Sequence, residues 1–395
     1  MNHEMWRPTP DRSHARADTG RRRASEQGFT LIEVMVAVAI GLIVVGVAYS
    51  VLYTSQQVQS INEQTVDTQQ NARMAMELIS EDLKAAGFSA KLIAPPGIGN
   101  CGTNGVVPAD NTPTGADTGP DAVSMIVPVN LSTLATTILG SAPTANVALQ
   151  TGAVAAAAAD GFGVGGTIYA LPGAVISIGG YFTGTVNTIS GDTLTLTSSV
   201  QLPKEAQMPG NTTGTGMQVY WLKCVRYEVI NSNSSAATKQ PLCGGNLPCL
   251  VRGTPPCVVG AVNPCIPVVE GIEDLQLAYA CDGCVGTEDG VIDDQVGGTA
   301  GQFDAADFVS NNAWNTGTFL PSTIRMAQVS IVAREMRRRL GSENPTGAQA
   351  TLSTPAQFQT PDHNPTQDAG YNATTYSRQQ RRLLTRTIEL TNLGF

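Results

Sequence analysis

Histidine is nearly missing from this chain: its 395 residues hold three, and only His363 lies beyond the first 28. A histidine-dependent triad or a multi-histidine metal centre is hard to build from so little. No G-x-S-x-G nucleophile elbow occurs either. Charged residues make up 14% of the chain and aromatics 5%. With abundant Gly, Thr, Ser, Ala and Asn, that composition suits an extracytoplasmic, β-rich protein with long loops better than a cytosolic enzyme. Proline is absent from residues 29–88, so nothing there forbids a long helix.

The net charge of −9 is unevenly spread. The first 28 residues hold six Arg against four acids, and the rest holds 17 basic against 28 acidic residues. An acidic body argues against nucleic acid as a partner, because phosphate neutralisation needs clustered Lys and Arg. The tight basic group of Arg334, Arg337, Arg338 and Arg339 reads as a solvated strand end.

What the chain does have is one long apolar run, GFTLIEVMVAVAIGLIVVGVAYSVL at 28–52. Residues 29–53 carry Glu33 as their only charge. About 25 helical residues at 1.5 Å each cross a hydrocarbon layer of about 30 Å. Arg21, Arg22 and Arg23 just before the run mark that side as cytoplasmic. A secretory signal peptide has a shorter apolar stretch that ends in a small-residue cleavage site, whereas here the small residue precedes the run. Cutting after Gly28 would leave the whole helix on the mature chain, starting at Phe29. The new α-amino group would then lie four residues from Glu33, on the same helix face. An N-terminal ammonium, from the same chain or a neighbour, is the natural partner of this acid, since an unpaired charge in hydrocarbon costs several kcal/mol.

The stretch GFTLIEV at 28–34 resembles the class III signal of type IV pilins and type II secretion pseudopilins. The resemblance implies that a prepilin peptidase cleaves between Gly28 and Phe29 and methylates Phe29. It also implies that Glu33 pairs with the amine of an adjacent subunit during assembly. Beyond the apolar run, Val58, Ile61, Ala72, Ala75, Ile79, Leu83 and Ala86 recur at helical spacing, and Gly87 suits a C-cap. The helix is therefore expected to have an apolar half over 29–53 and an amphipathic half over 54–87, the second packing on a globular domain. In pilins the combined shape is a ladle. Four further stretches, QQNARMAMELISEDLKAAGF, VEGIEDLQLAYACDG, TIRMAQVSIVARE and RRLLTRTIELTNL, resemble PilW-like minor pilins.

For the remainder, 88–395, apolar or alternating runs predict strands at 121–129, 166–178, 192–200, 218–230, 272–280, 325–333 and 386–393. No amphipathic helix recurs between them, so an α+β fold of antiparallel sheet against the N-terminal helix is expected. Segments 95–120, 232–267 and 341–370, rich in Pro, Gly and Asn, read as loops. Export makes disulfides the default for Cys101, Cys224, Cys243, Cys249, Cys257, Cys265, Cys281 and Cys284, six of them within the Cys-rich loop 243–284, with connectivity open. Cys281-Asp-Gly-Cys284 has no second CxxC to complete a zinc site.

Asp282, Glu288, Asp289, Asp293 and Asp294 form an acidic loop. It fails the EF-hand register, because Gly290 at the sixth place puts Val285 at the first. A solvated turn is the simpler reading, with Asp289 and Asp293 the candidates should calcium bind. GFGVGG at 161–166 satisfies G-x-G-x-x-G but precedes a strand-like run, which makes it a chance match. His363 sits in PDHNPT and reads as an unremarkable loop histidine.

The resemblance thus implies a non-catalytic minor pilin without cofactor, anchored in the inner membrane with a periplasmic body. It implies assembly with other minor pilins and the major pilin at a pilus tip that can carry an adhesin. The alternatives are a J-like type II secretion pseudopilin and a membrane-anchored binding or adhesion protein.

Overall fold

The structure is a computed structural model that describes residues 28–88, 97–112, 117–135, 146–157, 163–164, 167–168, 174–180, 182–197, 216–261, 265–284, 288–292, 299, 301–310, 313–314, 319–336 and 351–392. Arg21, Arg22, Arg23, Asp293, Asp294 and Arg337 to Arg339 lie outside the described residues. The chain divides between Gln56 and Gln57 into two compact units. The first is the beginning of a 55-residue helix, α1 (Leu31–Ala85).

The second unit holds the rest of α1 and the β-rich body. The buried face of α1 begins at Thr68 and continues through Ala72, Ala75, Met76, Ile79, Ser80 and Leu83. Val58, expected on that face, is instead 51% exposed. Gly87 ends the helix with φ of 74°, a left-handed conformation that costs a glycine little, and its N–H donates to Ile126 O rather than back into the helix. The last-turn carbonyl of Lys84 accepts from Asn392 Nδ2 at 3.0 Å and from Thr391 Oγ1 at 3.4 Å. The end of the chain thus satisfies an acceptor that the helix leaves open.

A nine-stranded sheet forms the larger layer. Its centre is β9 (Gln218–Ile230), numbered in chain order, paired antiparallel along one edge with β2 (Ala122–Thr133). The other edge of β9 is shared. β6 (Val175–Ile178) takes Val219 to Leu222, and β10 (Cys249–Gly253) takes Arg226 to Ile230. β1 (Val106–Ala109) flanks β2, and β11 (Ile266–Glu270) flanks β10. β7 (Phe182–Ser190), β8 (Thr193–Leu196) and β3 (Asn146–Ala148) extend the sheet beyond β6. The second sheet runs β12 (Ile272–Cys281), β13 (Ile324–Arg334), β14 (Arg381–Glu389), all antiparallel.

β4 (Gly163–Val164) pairs antiparallel with β5 (Thr167–Ile168). Strand therefore lies where a dinucleotide fingerprint requires a helix. Two five-residue helices, α2 (Ala153–Ala157) and α3 (Ala373–Ser377), complete the described regular elements apart from 3-10 turns.

One core joins both sheets to α1. Ile79 and Leu83 of the helix sit among Val123 and Met125 of β2, Val225 and Tyr227 of β9, Leu275 and Leu277 of β12, and Val329 and Ile331 of β13. Each such aliphatic side chain stabilises the fold by about 1.5–3 kcal/mol when fully buried. Asp82 adds polar specificity: Arg252 of β10 reaches it through Nε at 2.7 Å and Nη2 at 3.2 Å, and Tyr227 Oη donates to it at 2.7 Å.

Two expected loops contain strand. β1 lies within 95–120, and β10 with the start of β11 lies within 232–267. Their runs are too short to carry a periodic signal and acquire order from their partners β2 and β9. β14 begins at Arg381, five residues before the expected start. Arg381 is only 2% exposed because Glu273 pairs with it, Nη2 to Oε1 at 2.9 Å.

Candidate functional site

In the first unit, Thr30 caps α1. The N–H of Glu33 donates to Thr30 Oγ1 at 3.3 Å and to Thr30 O at 3.0 Å. Thr-x-x-Glu is the spacing of a capping box, a signal that residue order alone carries and that the apolar run around it masks. It places Glu33 in the first turn, where a carboxylate complements the positive end of the helix dipole. Gly28 and Phe29 precede the helix and are exposed, Phe29 by 81%. Every residue from 28 to 56 is exposed, including Leu31 at 82%, Ile32 at 71% and Leu42 at 68%. The helix is long and apolar enough to cross a membrane. Two hydroxyls within it bond back to their own turns, Ser50 to Val47 O at 2.8 Å and Thr54 to Ser50 O at 2.9 Å, so these two present no open donor to an apolar surround.

In the body, all eight cysteines are bridged. Cys101–Cys224 ties the segment before β1 to β9 across 123 positions, whereas Cys243–Cys249, Cys257–Cys265 and Cys281–Cys284 close short loops. Cys243, Cys249, Cys257 and Cys265 pack with Ile230 and Val251 into a small core of their own. The Cys281–Cys284 bridge closes the end of β12.

The acidic loop after it carries its own counter-charge. Buried Asp282 accepts from the N–H groups of Asp289 at 2.9 Å and Gly290 at 3.3 Å, and Arg325 lies 3.9 Å from its other oxygen and 3.3 Å from Glu288. Asp289 is exposed and accepts from the N–H of Val291. Arg334, read as a solvated strand end, is in fact engaged. It bonds Leu247 O at 3.3 Å and approaches Glu273 at 3.5 Å.

His363 is the largest departure from the sequence reading. It is 2% exposed, with Nε2 bonded to Asp368 Oδ1 at 2.6 Å and Nδ1 2.8 Å from Asp274 Oδ2. Burial opposes its charge, but the carboxylates of Asp274 and Asp368 more than offset that and push its pKa up to about 10. Sequence spacing gave no signal here, because Asp274 is 89 positions away, in β12.

A second acidic group comes from DNTPTGADTGPD at 110–121, a stretch whose composition reads as an ordinary turn. One carboxylate oxygen from each of Asp110, Asp117 and Asp121 lies within 4.8 Å of the others. Asp117 is fully buried and Asp121 is 2% exposed. Burial, reinforced by Asp110 and Asp362, raises the Asp117 pKa to about 7. Burial, with Asp117 adding to it, raises that of Asp121 to about 9.

Comparison with known families agrees with both ends of this geometry. Residues 23–49 match the prokaryotic N-terminal methylation motif, and residues 227–392 match the type IV pilus-assembly protein W. The chain is a type IV pilin-like protein. More narrowly, it is a pilus-related minor pilin whose C-terminal part, from the end of β9 through β14, is a PilW domain. Domains of this kind are structural, and the motif implies prepilin peptidase processing, membrane anchoring and incorporation among other pilus components. No curated protein and no solved structure matches the chain.

Proposed function

We propose that the protein is a non-catalytic minor pilin that helps to initiate a type IV pilus and occupies its tip. The peptidase cuts between Gly28 and Phe29 and methylates Phe29, with Arg21, Arg22 and Arg23 holding the leader on the cytoplasmic side. The apolar half of α1 holds the chain in the inner membrane as a single span, with the body in the periplasm. Glu33 pairs with the N-terminal amine of an adjacent subunit as the helix enters the filament. Other minor pilins and the major pilin are the neighbours along that helix, and a tip adhesin is a further partner of the body.

The observation that carries this reading is that every residue from 28 to 56 is exposed. So large an apolar surface on a soluble chain would drive aggregation, and lipid followed by neighbouring pilin helices supplies the cover. Thr30 capping keeps the first turn formed while Glu33 waits for its partner.

Intact mass and N-terminal sequencing of the protein from membranes, with and without prepilin peptidase, test the proposal. A peptidase-dependent start at N-methylated Phe29 is expected. An uncut chain, or a start elsewhere, would remove the assembly role of Glu33 and favour a membrane-anchored binding protein.

A further inference from the structure

Asp110 follows β1, Asp121 precedes β2, and Asp117 lies between them. Backbone bonds hold this connection against other elements: Asp117 N–H donates to Asp362 O at 3.1 Å and Asp121 N–H to Leu275 O at 2.8 Å. Asp121 uses both oxygens, accepting from Asn111 N–H at 2.9 Å and from Leu277 N–H of β12 at 3.0 Å. Among the described residues, neither Asp117 nor Asp121 has a Lys, Arg or His at ion-pair distance. The acidic loop after β12 is different, since Arg325 serves it.

Three buried polar atoms around the cluster have no hydrogen-bond partner, Asp362 Oδ2 among them. One is Asp117 Oδ2, in a fully buried residue. Another is the hydroxyl of Tyr279, which is 2% exposed and lies in β12 two residues beyond Leu277, whose N–H bonds Asp121. Such orphaned groups are costly to bury. The carboxylate oxygens lie within 4.8 Å of one another, close enough to share one coordination sphere with oxygens at about 2.4 Å from a central ion.

We propose that Asp110, Asp117 and Asp121 are the carboxylate ligands of a calcium ion that staples the β1–β2 connection to β12. Calcium takes hard oxygen ligands in irregular geometry, as a loop with no nitrogen or sulfur donor offers. Magnesium demands a near-ideal octahedron and keeps its waters, which a site this buried does not favour. Tyr279 Oη contacts the water shell of the ion. Asp362 stands behind Asp117 and adds negative potential. Because Asp121 already grips β12 through Leu277 N–H, the ion locks the edge of the nine-stranded sheet to the three-stranded one. The site is in the body and does not depend on processing at Gly28.

The test uses full-length protein in detergent, stripped with EGTA, and calorimetric titration with CaCl2 and separately with MgCl2. One calcium per chain is expected, with Kd of about 10⁻⁴ M, as extracellular sites show, and a rise in Tm of about 3–6 °C at saturating calcium. Asp117→Asn weakens binding at least about tenfold, Asp289→Asn leaves it unchanged, and magnesium gives no comparable heat. Should Asp117→Asn not fold, terbium in place of calcium supplies a second readout. Its emission, sensitised by Tyr279 and by Trp314 set edge-on to it with ring centroids 5.2 Å apart, dims in Tyr279→Phe. Absence of both heat and Tm shift in the unsubstituted protein would overturn the proposal. So would unchanged binding in Asp117→Asn, loss of binding in Asp289→Asn, or terbium emission indifferent to Tyr279→Phe.

Discussion

Replacing His363 with Gln removes a buried cation from between two carboxylates while keeping a side chain that can donate hydrogen bonds. The His363 side chain is 1% exposed and Asp274 is 7% exposed, so Asp274 would be left as an uncompensated buried charge. Removing one partner of a buried pair costs about 3–5 kcal/mol. Asp368 is 31% exposed and is screened by solvent, so it adds little. The lower figure, about 3 kcal/mol near pH 6, is therefore expected. The pH dependence has a definite sign. The folded pKa of His363 is raised to about 10 against 6.5 in a free histidine. Its stabilisation is then complete below about pH 6.5 and is lost as the pH rises through 10. Urea unfolding of the full chain and of His363→Gln in detergent at pH 6, 8 and 10 measures this. The gap between the two should shrink toward about 1 kcal/mol, the worth of ordinary hydrogen bonds, at the alkaline end. A gap that stays constant from pH 6 to 10, or a variant as stable as the parent at pH 6, would refute the charged-histidine argument.

Leu83→Ala in the fully buried face of α1 should cost about 2–5 kcal/mol by unfolding, the usual range for an unfilled leucine site. Among the disulfides, replacing Cys101 and Cys224 by Ser opens a connection of 123 positions and should cost about 5 kcal/mol in the chain-entropy relation, against about 1.5 kcal/mol for Cys281 and Cys284 with a separation of 3. Comparative melting of the two double variants under oxidising conditions should rank them in that order. Glu33→Ala should still be cut after Gly28 but enter filaments poorly. Immunodetection in sheared pili would reveal normal incorporation if Glu33 did not pair between subunits.

The N-terminal half of the functional reading was legible from residue order because its physics is local. An apolar run of sufficient length, one carboxylate in the first turn, a threonine three residues before it and a glycine ahead need no distant partner to be recognised. Three long strands were legible for the same reason: β9 runs from Gln218 to Ile230, as its apolar pattern indicates, and β12 and β13 lie within a residue of expectation, whereas the nine-residue β7 falls outside every expected run. Tertiary structure alone decided the short strands β1 and β10, whose order comes from the edges of β2 and β9. It also decided which cysteines meet, and the burial of Arg381 against Glu273. His363 and the Asp110, Asp117 and Asp121 group belong to the same class. A charge becomes consequential when burial raises the cost of leaving it unpaired, and burial depends on which distant strand folds over it. In this chain β12 does that for both groups, with Asp274 facing His363 and Leu277 bonded to Asp121.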